Sequence, residues 1–236
     1  MVGCNCRVCK SGNAKDRRLR SSVLIEKGNT RILIDVTPDF REQMMDLPFS
    51  KINGILLSHE HYDHVGGMDD LRPFGRFGEI GIYAEKNVSD ALMNRIPYCF
   101  MTKKYEGIPN LRLMEIDCSP FEIEGIEIIP IRVMHYKLPI LGFRIGDFAY
   151  LTDVKTIPVE ELAKLKGLRV LVVSALRRSE HISHQNLDQA LDLIHSIDAK
   201  ETFLTHLSHE MGLHDEVEQE LEEAVNIAFD GLQLSL

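Results

Sequence analysis

The residues best suited to chemistry are crowded into one short stretch, His59-Glu-His61-Tyr-Asp63-His64. Three imidazoles and a carboxylate follow an apolar run, Ile52–Ser58, that predicts a buried strand. Imidazole binds zinc, iron and manganese well, whereas carboxylate oxygen suits harder ions. The stretch therefore predicts a loop that holds two divalent ions, with a coordination position left open for water.

Three further candidate ligands each come directly after an apolar run that predicts a strand: His135, Asp153 and His206. Open α/β sheets place their functional sites at such strand ends. A histidine-rich surface loop without a function is the alternative interpretation of the first stretch. The repeated placement of ligand-type residues after strands counts against that alternative.

Near the start of the chain, Cys4, Cys6 and Cys9 form a Cys-x-Cys-x-x-Cys motif. Thiolates at this spacing suit a soft cation, but a closed structural zinc site needs four ligands. The remaining two of the five cysteines, Cys99 and Cys118, lie alone, which suits metal binding in a reducing compartment better than a disulfide framework. From the spacing alone the fourth ligand stays open, and so does the alternative of free thiols.

Composition limits the partners that we expect. The chain has 236 residues, 44% of them hydrophobic, and a formal net charge of −9. It contains neither an apolar run of about 18 residues nor a signal-peptide pattern, so we expect a cytoplasmic protein without a membrane partner. The negative charge makes a nucleic-acid partner unexpected. A small anionic substrate is compatible with it, because a pair of metal ions dominates its local field.

The elements that must position these residues alternate between strands and helices, which predicts a layered α/β fold. Ser22–Glu26 and Arg31–Asp35 read as a hairpin, and near the end of the chain we expect a helix over Asp215–Phe229 and a strand over Leu232–Leu234. No repeat or linker is visible. We therefore predict one domain over residues 1–236.

The motif His-x-His-x-Asp-His, followed by a later His, a later Asp and a final His, resembles the metallo-β-lactamase superfamily of binuclear hydrolases. The resemblance covers almost the whole chain and implies an α/β (α+β, four-layer) fold, the αββα sandwich. The ligands that it implies are, for one ion, His59, His61 and His135; for the other, Asp63, His64 and His206; and, bridging both, Asp153.

Within the superfamily, the cysteine motif followed by Asp16-Arg-Arg-Leu-Arg-Ser-Ser22 resembles the PhnP-type phosphodiesterases, which are related to the tRNA-processing ribonuclease Z. In that group a histidine three residues after the last catalytic-site histidine completes a structural zinc site. His209 has this spacing from His206. The implied cofactors are two divalent ions, Zn or Mn, and one structural Zn. Relatives begin with a strand ahead of the cysteines, so we expect that strand to be absent here or the true start to lie upstream.

This resemblance implies hydrolysis of a small or cyclic phosphodiester, similar to phosphoribosyl cyclic phosphate, by a metal-bound hydroxide that Asp63 helps to orient. His184 precedes a predicted helix, where the family places a histidine close to the metals. An imidazole has a pKa suited to protonating a leaving alkoxide near neutrality. For His181 we prefer a capping or exposed position without a catalytic function.

Three alternatives stay open. The first is a ribonuclease Z-like tRNA 3′-processing endonuclease, against which the acidic charge and the lack of a long basic insertion count. The second is a lactone or thioester hydrolase on the same fold, which His184 fits less well. The third is a non-catalytic metal-binding regulator, against which the complete set of ligands counts. Whether the chain forms a homodimer also stays open.

Overall fold

The computed structural model describes residues 1–101 and 107–236. The chain divides into two compact units, one made of Met1–Leu19 with Ile128–Leu236 and the other of Arg20–Glu127. We call them the terminal unit and the middle unit. Strands and helices alternate along the chain and the strands form two sheets, which confirms the predicted mixed α/β fold class. One domain over residues 1–236 remains a prediction.

The middle unit contains a sheet with strand order β1-β2-β3-β4-β5. Its strands are β1 (Val23–Lys27), β2 (Thr30–Ile34), β3 (Gly54–Leu56), β4 (Ile80–Ala84) and β5 (Leu111–Glu115), and β6 (Phe121–Ile123) follows in sequence. Its helices are α1 (Phe40–Met44), α2 (Tyr62–Val65) and α3 (Lys86–Arg95), with 3₁₀ segments at Met68–Phe77 and Pro97–Phe100. β1 and β2 form the predicted antiparallel hairpin, and β2 to β5 run parallel.

Parallel strands explain where the ligand loop of the middle unit begins. β3 is apolar and fully buried, as expected for a strand covered on both faces. In the register of β2 with β3, Ile34 lies beside Leu56. The chain leaving each strand therefore emerges at the same edge of the sheet, so that Asp35 and Ser58 come out side by side.

The terminal unit contains β7 (Ile126–His135) from Ile128 onwards, β8 (Leu138–Ile145), β9 (Phe148–Leu151), β10 (Val170–Ser174), β11 (Glu201–Thr205) and β12 (Val225–Ile227), in the spatial order β12-β11-β10-β9-β8-β7. Its helices are α4 (Leu187–Ile197) and α5 (His214–Glu220), with 3₁₀ segments at Ala14–Asp16 and Val159–Leu165. β7, β8 and β9 are antiparallel neighbours, and β9 to β12 run parallel. Among the described residues, no helix is both long and apolar enough to cross a membrane.

Two predictions near the end of the chain are wrong. The helix expected over Asp215–Phe229 ends at Glu220, and Val225–Ile227 instead forms β12, parallel to β11. The strand expected at Leu232–Leu234 has no regular structure. Acidic residues at helical spacing continue past Glu220, but pairing with β11 buries Val225 and Ile227 in the core of the terminal unit. That long-range gain outweighs the local helix preference.

Candidate metal centre

In the terminal unit three predicted ligands come from strand ends that share one edge. Asp153 follows β9 and His206 follows β11, and both strands flank β10 in parallel. β7 runs in the same direction as β9, because two antiparallel pairings separate them, and it ends at His135. The topology therefore brings His135, Asp153 and His206 to one edge of this sheet.

The side chains at this edge lie close together. Nε2 of His206 lies 3.4 Å from Oδ2 of Asp153, and Nδ1 of His184 lies 3.6 Å from Oδ1 of the same carboxylate. The ring centroids of His135 and His184 are 4.6 Å apart. His135, Asp153 and His184 each offer a ligand atom within 4.8 Å of the others. His184 therefore lies beside the three strand-end ligands of this unit.

The tautomer of His135 fits a metal ligand. Its Nδ1 lies 3.1 Å from the carbonyl oxygen of Asp153 and 2.9 Å from that of Ser183. Since a carbonyl oxygen only accepts hydrogen bonds, Nδ1 is the donor, and the lone pair of the ring is on Nε2. An imidazole that binds a metal usually donates its other N–H to such a partner, so the arrangement fits an ion at Nε2.

The backbone at two of these ligands is strained. Asp153 has a φ of 53° and His206 a φ of 56°, in the left-handed region that residues with side chains seldom adopt. Such conformations persist where the surrounding structure holds them, and they concentrate at functional sites. His206 directly follows β11 and Asp153 follows β9 with one residue between, so both left-handed residues lie where the chain leaves a strand.

His184 lies on a loop whose two ends touch. Arg177 and Asn186 form an isolated bridge, and the amide of Leu187 donates to the carbonyl of Arg177 at 2.9 Å. We call residues 178–185 the His184 loop. At its end, Asn186 caps α4 in a reciprocal capping box with Gln189.

The ammonium group of Lys155 connects the His184 loop to the segment that follows β9. Nζ of Lys155 donates to the carbonyls of His181 at 2.8 Å and His184 at 3.3 Å, and to Oε1 of Gln189 at 3.1 Å. The position of the His184 backbone therefore depends on a side chain two residues beyond Asp153. Burial lowers the pKa of His184 to about 4, against the opposing effect of Asp153, so the ring is neutral at pH 7 in the protein alone.

In the middle unit the His59–His64 stretch forms the predicted ligand loop. Nε2 of His59 lies 3.0 Å from Nδ1 of His61, and Nε2 of His64 lies 3.3 Å from Oδ2 of Asp63. His59 and His64 are fully buried, with ring centroids 4.3 Å apart. The loop thus gathers three imidazoles and one carboxylate, a mixed donor set that suits divalent transition ions.

The sequence pattern did not indicate Asp35 as a residue of the site. This carboxylate is fully buried, and its Oδ2 accepts from Nδ1 of His64 at 2.7 Å and from Oγ of Ser58 at 2.8 Å. Its Oδ1 accepts from the amide of Ser58 at 2.8 Å, and its φ is 62°. A carboxylate behind a ligating imidazole fixes the ring and raises its basicity. The available signal was an acid placed directly after an apolar strand.

The third ligand cluster lies within the terminal unit and joins its two chain segments. Cys4, Cys6, Cys9 and His209 offer ligand atoms that all lie within 4.8 Å of one another. Nδ1 of His209 is 3.6 Å from Sγ of Cys4 and 3.4 Å from Sγ of Cys6. The pKa of Cys6 is lowered to about 6, first by the backbone amide of Cys9 and then by His209. Three sulfurs and one imidazole at this spacing fit a tetrahedral zinc ion.

The N-terminal segment is also anchored to α5. Arg7 forms an ion pair with Glu216, and Nδ2 of Asn13 donates to Asp215 at 3.0 Å. The amide of His214 donates to Oδ1 of Asp16 at 2.7 Å. The acidic face of α5, which its composition would leave to solvent, therefore receives part of the N-terminal segment.

Comparison with known proteins identifies the family. The family model of the beta-lactamase superfamily domain matches residues 30–207, and the chain therefore belongs to that superfamily. This fold implies divalent metal ions and supports a metal-dependent hydrolase. Among solved structures, a diphosphatase from the PhnP family is similar, with 36% identity, a TM-score of 0.92 and coverage of 99% of this chain and 90% of that chain.

Two curated relatives carry different names. An octanoyltransferase of Porphyromonas gingivalis is 45% identical over 235 residues, which are 98% of this chain and 48% of that protein. A ribonuclease Z of Parabacteroides distasonis is 25% identical over 171 residues, 67% of this chain and 56% of that protein. The chain thus spans about half the length of the curated relatives it matches.

Proposed function

We propose that the chain is a PhnP-type, metal-dependent phosphodiesterase that hydrolyses a small or cyclic phosphodiester. The observation that carries this proposal is the contact of the Asp153 carboxylate with both His206 and His184. One carboxylate thereby stands beside a predicted metal ligand and beside an imidazole able to move a proton. The similarity to a PhnP-family diphosphatase over 99% of the chain supports the same class of chemistry.

The seven ligands implied by the family resemblance are proposed to hold two divalent ions, Zn or Mn, and the cysteine cluster one structural Zn. Two such ions lower the pKa of water and neutralise charge on the phosphoryl oxygens. Asp63 orients the water for attack on phosphorus, and Asp35 holds the ring of His64 through its 2.7 Å hydrogen bond. Lys155 holds the His184 loop in place.

His184 gives its proton to the oxygen that leaves phosphorus. Burial of His184 disfavours the protonated ring, but a bound phosphate anion beside the ring would favour it. The attacking water loses one proton to solvent as its oxygen bonds to phosphorus. The P–O bond to the leaving group breaks, and the leaving oxygen takes the proton of His184. His184 is then a neutral imidazole, and proton uptake from solvent restores the imidazolium.

The test varies the leaving group. We expect the wild type, loaded with Mn²⁺ or Zn²⁺, to hydrolyse both bis(p-nitrophenyl) phosphate and alkyl or cyclic diesters. His184→Ala should lower turnover of the alkyl and cyclic diesters by about 10²–10⁴-fold. p-Nitrophenolate needs little protonation, so the same change should affect the aryl diester much less. His195→Ala, on an exposed ring that pairs with Glu222, is the matched control and should leave both rates unchanged.

A flat defect across leaving groups would remove the acid function from His184. Absence of any phosphodiester hydrolysis by the loaded wild type would reject the proposed class. The same panel should contain a substrate with a P–O–P bond, because the similar PhnP-family structure is a diphosphatase. Precursor tRNA belongs in it as well, because a ribonuclease Z is among the relatives.

A thioester hydrolase is the second candidate function. The observation in its favour is the 45% identity to half of an octanoyltransferase, a name that points to acyl transfer. A thiolate leaves without protonation, so a thioesterase would not need His184 as an acid. Hydrolysis of an octanoyl thioester that survives His184→Ala, without activity on phosphodiesters, would favour this candidate.

A further inference from the structure

The turn between β7 and β8 contains an unexpected residue. His135 pairs with Leu138, so the two strands are joined by only two residues, Tyr136 and Lys137. Tyr136 has a φ of 57°, whereas Lys137 is not among the residues with positive φ. A two-residue turn with positive φ at its first position is the type that takes glycine there. An aromatic residue occupies the position instead.

Burial does not explain the choice of tyrosine. The side chain is 49% exposed, and a bulky residue in the left-handed region is a conformational outlier. Glycine would adopt the same backbone without strain. Strained backbone of this kind persists where the surrounding structure holds it, and it is concentrated at functional sites.

The position of Tyr136 next to the candidate metal centre suggests a functional reason for this side chain. It directly follows the proposed ligand His135, whose Nδ1 contacts the carbonyl of Ser183 at 2.9 Å. Ile182, next to Ser183 in the His184 loop, is 66% exposed. Tyr136 and Ile182 are therefore exposed sequence neighbours of the two residues that join the hairpin to the His184 loop. Lys137 places its Nζ 5.4 Å from the centroid of the Tyr136 ring, which adds a positive charge beside it.

We propose that Tyr136 is a specificity-determining residue that stacks on a flat ring in the part of the substrate that stays with phosphorus. The inference rests on the proposed phosphodiesterase function and narrows its substrate class to small phosphodiesters that carry a nucleobase. Aromatic side chains stack on any base, because every base has a π face. Ile182 adds apolar surface, and the ammonium of Lys137 suits the negative charge of a phosphate.

The kinetic test uses two substrates with the same leaving group. Thymidine 5′-(p-nitrophenyl phosphate) carries a base, and methyl p-nitrophenyl phosphate does not. We expect Tyr136→Gly to raise KM for the thymidine ester about tenfold, equivalent to about 1.4 kcal/mol, within the range measured for one stacked base. KM for the methyl ester and kcat for both should stay within twofold. Tyr136→Phe should behave as the wild type.

The matched control is Glu124→Gly. Glu124 also has a positive φ, 50°, in a turn that precedes β7. Both glycine variants relieve a left-handed residue and should therefore raise the melting temperature or leave it unchanged. Only Tyr136→Gly should alter the ratio of the two KM values. An equal ratio in Tyr136→Gly and the wild type would overturn the inference, whereas a wild type inactive on both esters would reject the proposed function.

A binding test needs no catalysis. The chain contains no tryptophan, so Tyr136→Trp creates a single indole at the turn. We expect AMP to quench its fluorescence in a saturable manner, and ribose 5-phosphate, which lacks the base, to quench it much less. Val159→Trp, at a position that is 80% exposed on the same unit, should not respond. Equal quenching by AMP and ribose 5-phosphate, or none by AMP, would contradict stacking.

Discussion

Two ligand clusters of the terminal unit are built in opposite ways. His135, Asp153 and His206 stand at strand ends, with left-handed backbone at Asp153 and His206 and a carbonyl that orients His135. The cysteine cluster lies in turns without a strand, and its sulfurs are only partly buried. The sheet holds the first set in position by itself. The second set joins segments 205 residues apart, from Cys4 to His209, and an ion would complete that connection.

An ion would contribute differently at the two clusters. At the strand ends, hydrogen bonds and the sheet already fix the ligands, so an ion there adds chemistry more than structure. At the cysteine cluster, the backbone amide of Cys9 and the imidazole of His209 lower the pKa of Cys6, and the charge that results needs a cation. Structural zinc contributes directly to the free energy of folding. Losing a ligand should therefore mainly affect activity at the first cluster and stability at the second.

The largest effect should come from Asp153→Ala. We expect phosphodiesterase activity to fall by far more than 100-fold, since even a partner behind a metal ligand is worth about 10–100-fold. The metal content should fall from about three ions per chain to about one, because the cysteine cluster keeps its ion. Metal analysis and turnover measure both. Asp192→Ala, an exposed acid on α4, should change neither, and wild-type turnover in Asp153→Ala would contradict the bridging assignment.

His209→Ala should produce the opposite pattern. We expect loss of one zinc and a fall in melting temperature of roughly 5–10 °C, on a scale of about 2–4 °C per kcal/mol for a chain of this size. Activity should fall less than in Asp153→Ala, through the displacement of His206 three residues away. Calorimetry with metal analysis measures this, and Asp215→Asn at the neighbouring α5 contact is the control. Unchanged zinc content and melting temperature would place the fourth ligand elsewhere.

Asp35→Asn should have the smallest effect of the three variants. It tests whether the hydrogen bond between His64 and Asp35 is needed to orient the ring of His64. The change keeps the shape of the side chain but removes the charge that accepts from His64, so metal affinity should fall by about 10–100-fold. Chelator competition measures the affinity, and the zinc of the cysteine cluster should stay in place. Asp46→Asn, on an exposed acid of the same unit, should leave the affinity unchanged. A wild-type affinity in Asp35→Asn would show that the sheet alone orients His64.

The sequence predicted those parts of the site that local spacing encodes. His59, His61, Asp63 and His64 lie in one loop after a strand, and the structure gathers them as expected. The fourth member of the cysteine cluster could not be found from the cysteine spacing, because His209 lies 205 residues from Cys4. It became a prediction only through the family resemblance. The structure then placed it beside the sulfurs.

The parts that were missed depend on contacts between distant segments. In the sequence Asp35 looks like the polar end of a hairpin strand, and only the pairing of Ile34 with Leu56 brings it beside Ser58 and His64. Likewise, Val225–Ile227 follows an acidic helical pattern, and only β11 makes it a strand. Tyr136 lies in a hairpin turn whose positive φ is not visible in a Tyr-Lys pair, because such turns are normally read from glycine or asparagine.

The His184 loop has a consequence for how this chain could diversify. Arg177 and Asn186 form a bridge, so the two ends of the loop are held together. The entropy of closing a loop grows only slowly with its length, so a longer loop here would cost little additional closure entropy. Insertions around the exposed Ile182 are therefore expected to cost little stability, whereas Lys155 fixes the segment that carries His184. We therefore expect the length of this chain to vary most readily at the tip of the His184 loop, at a distance in sequence from the strands of the sheet.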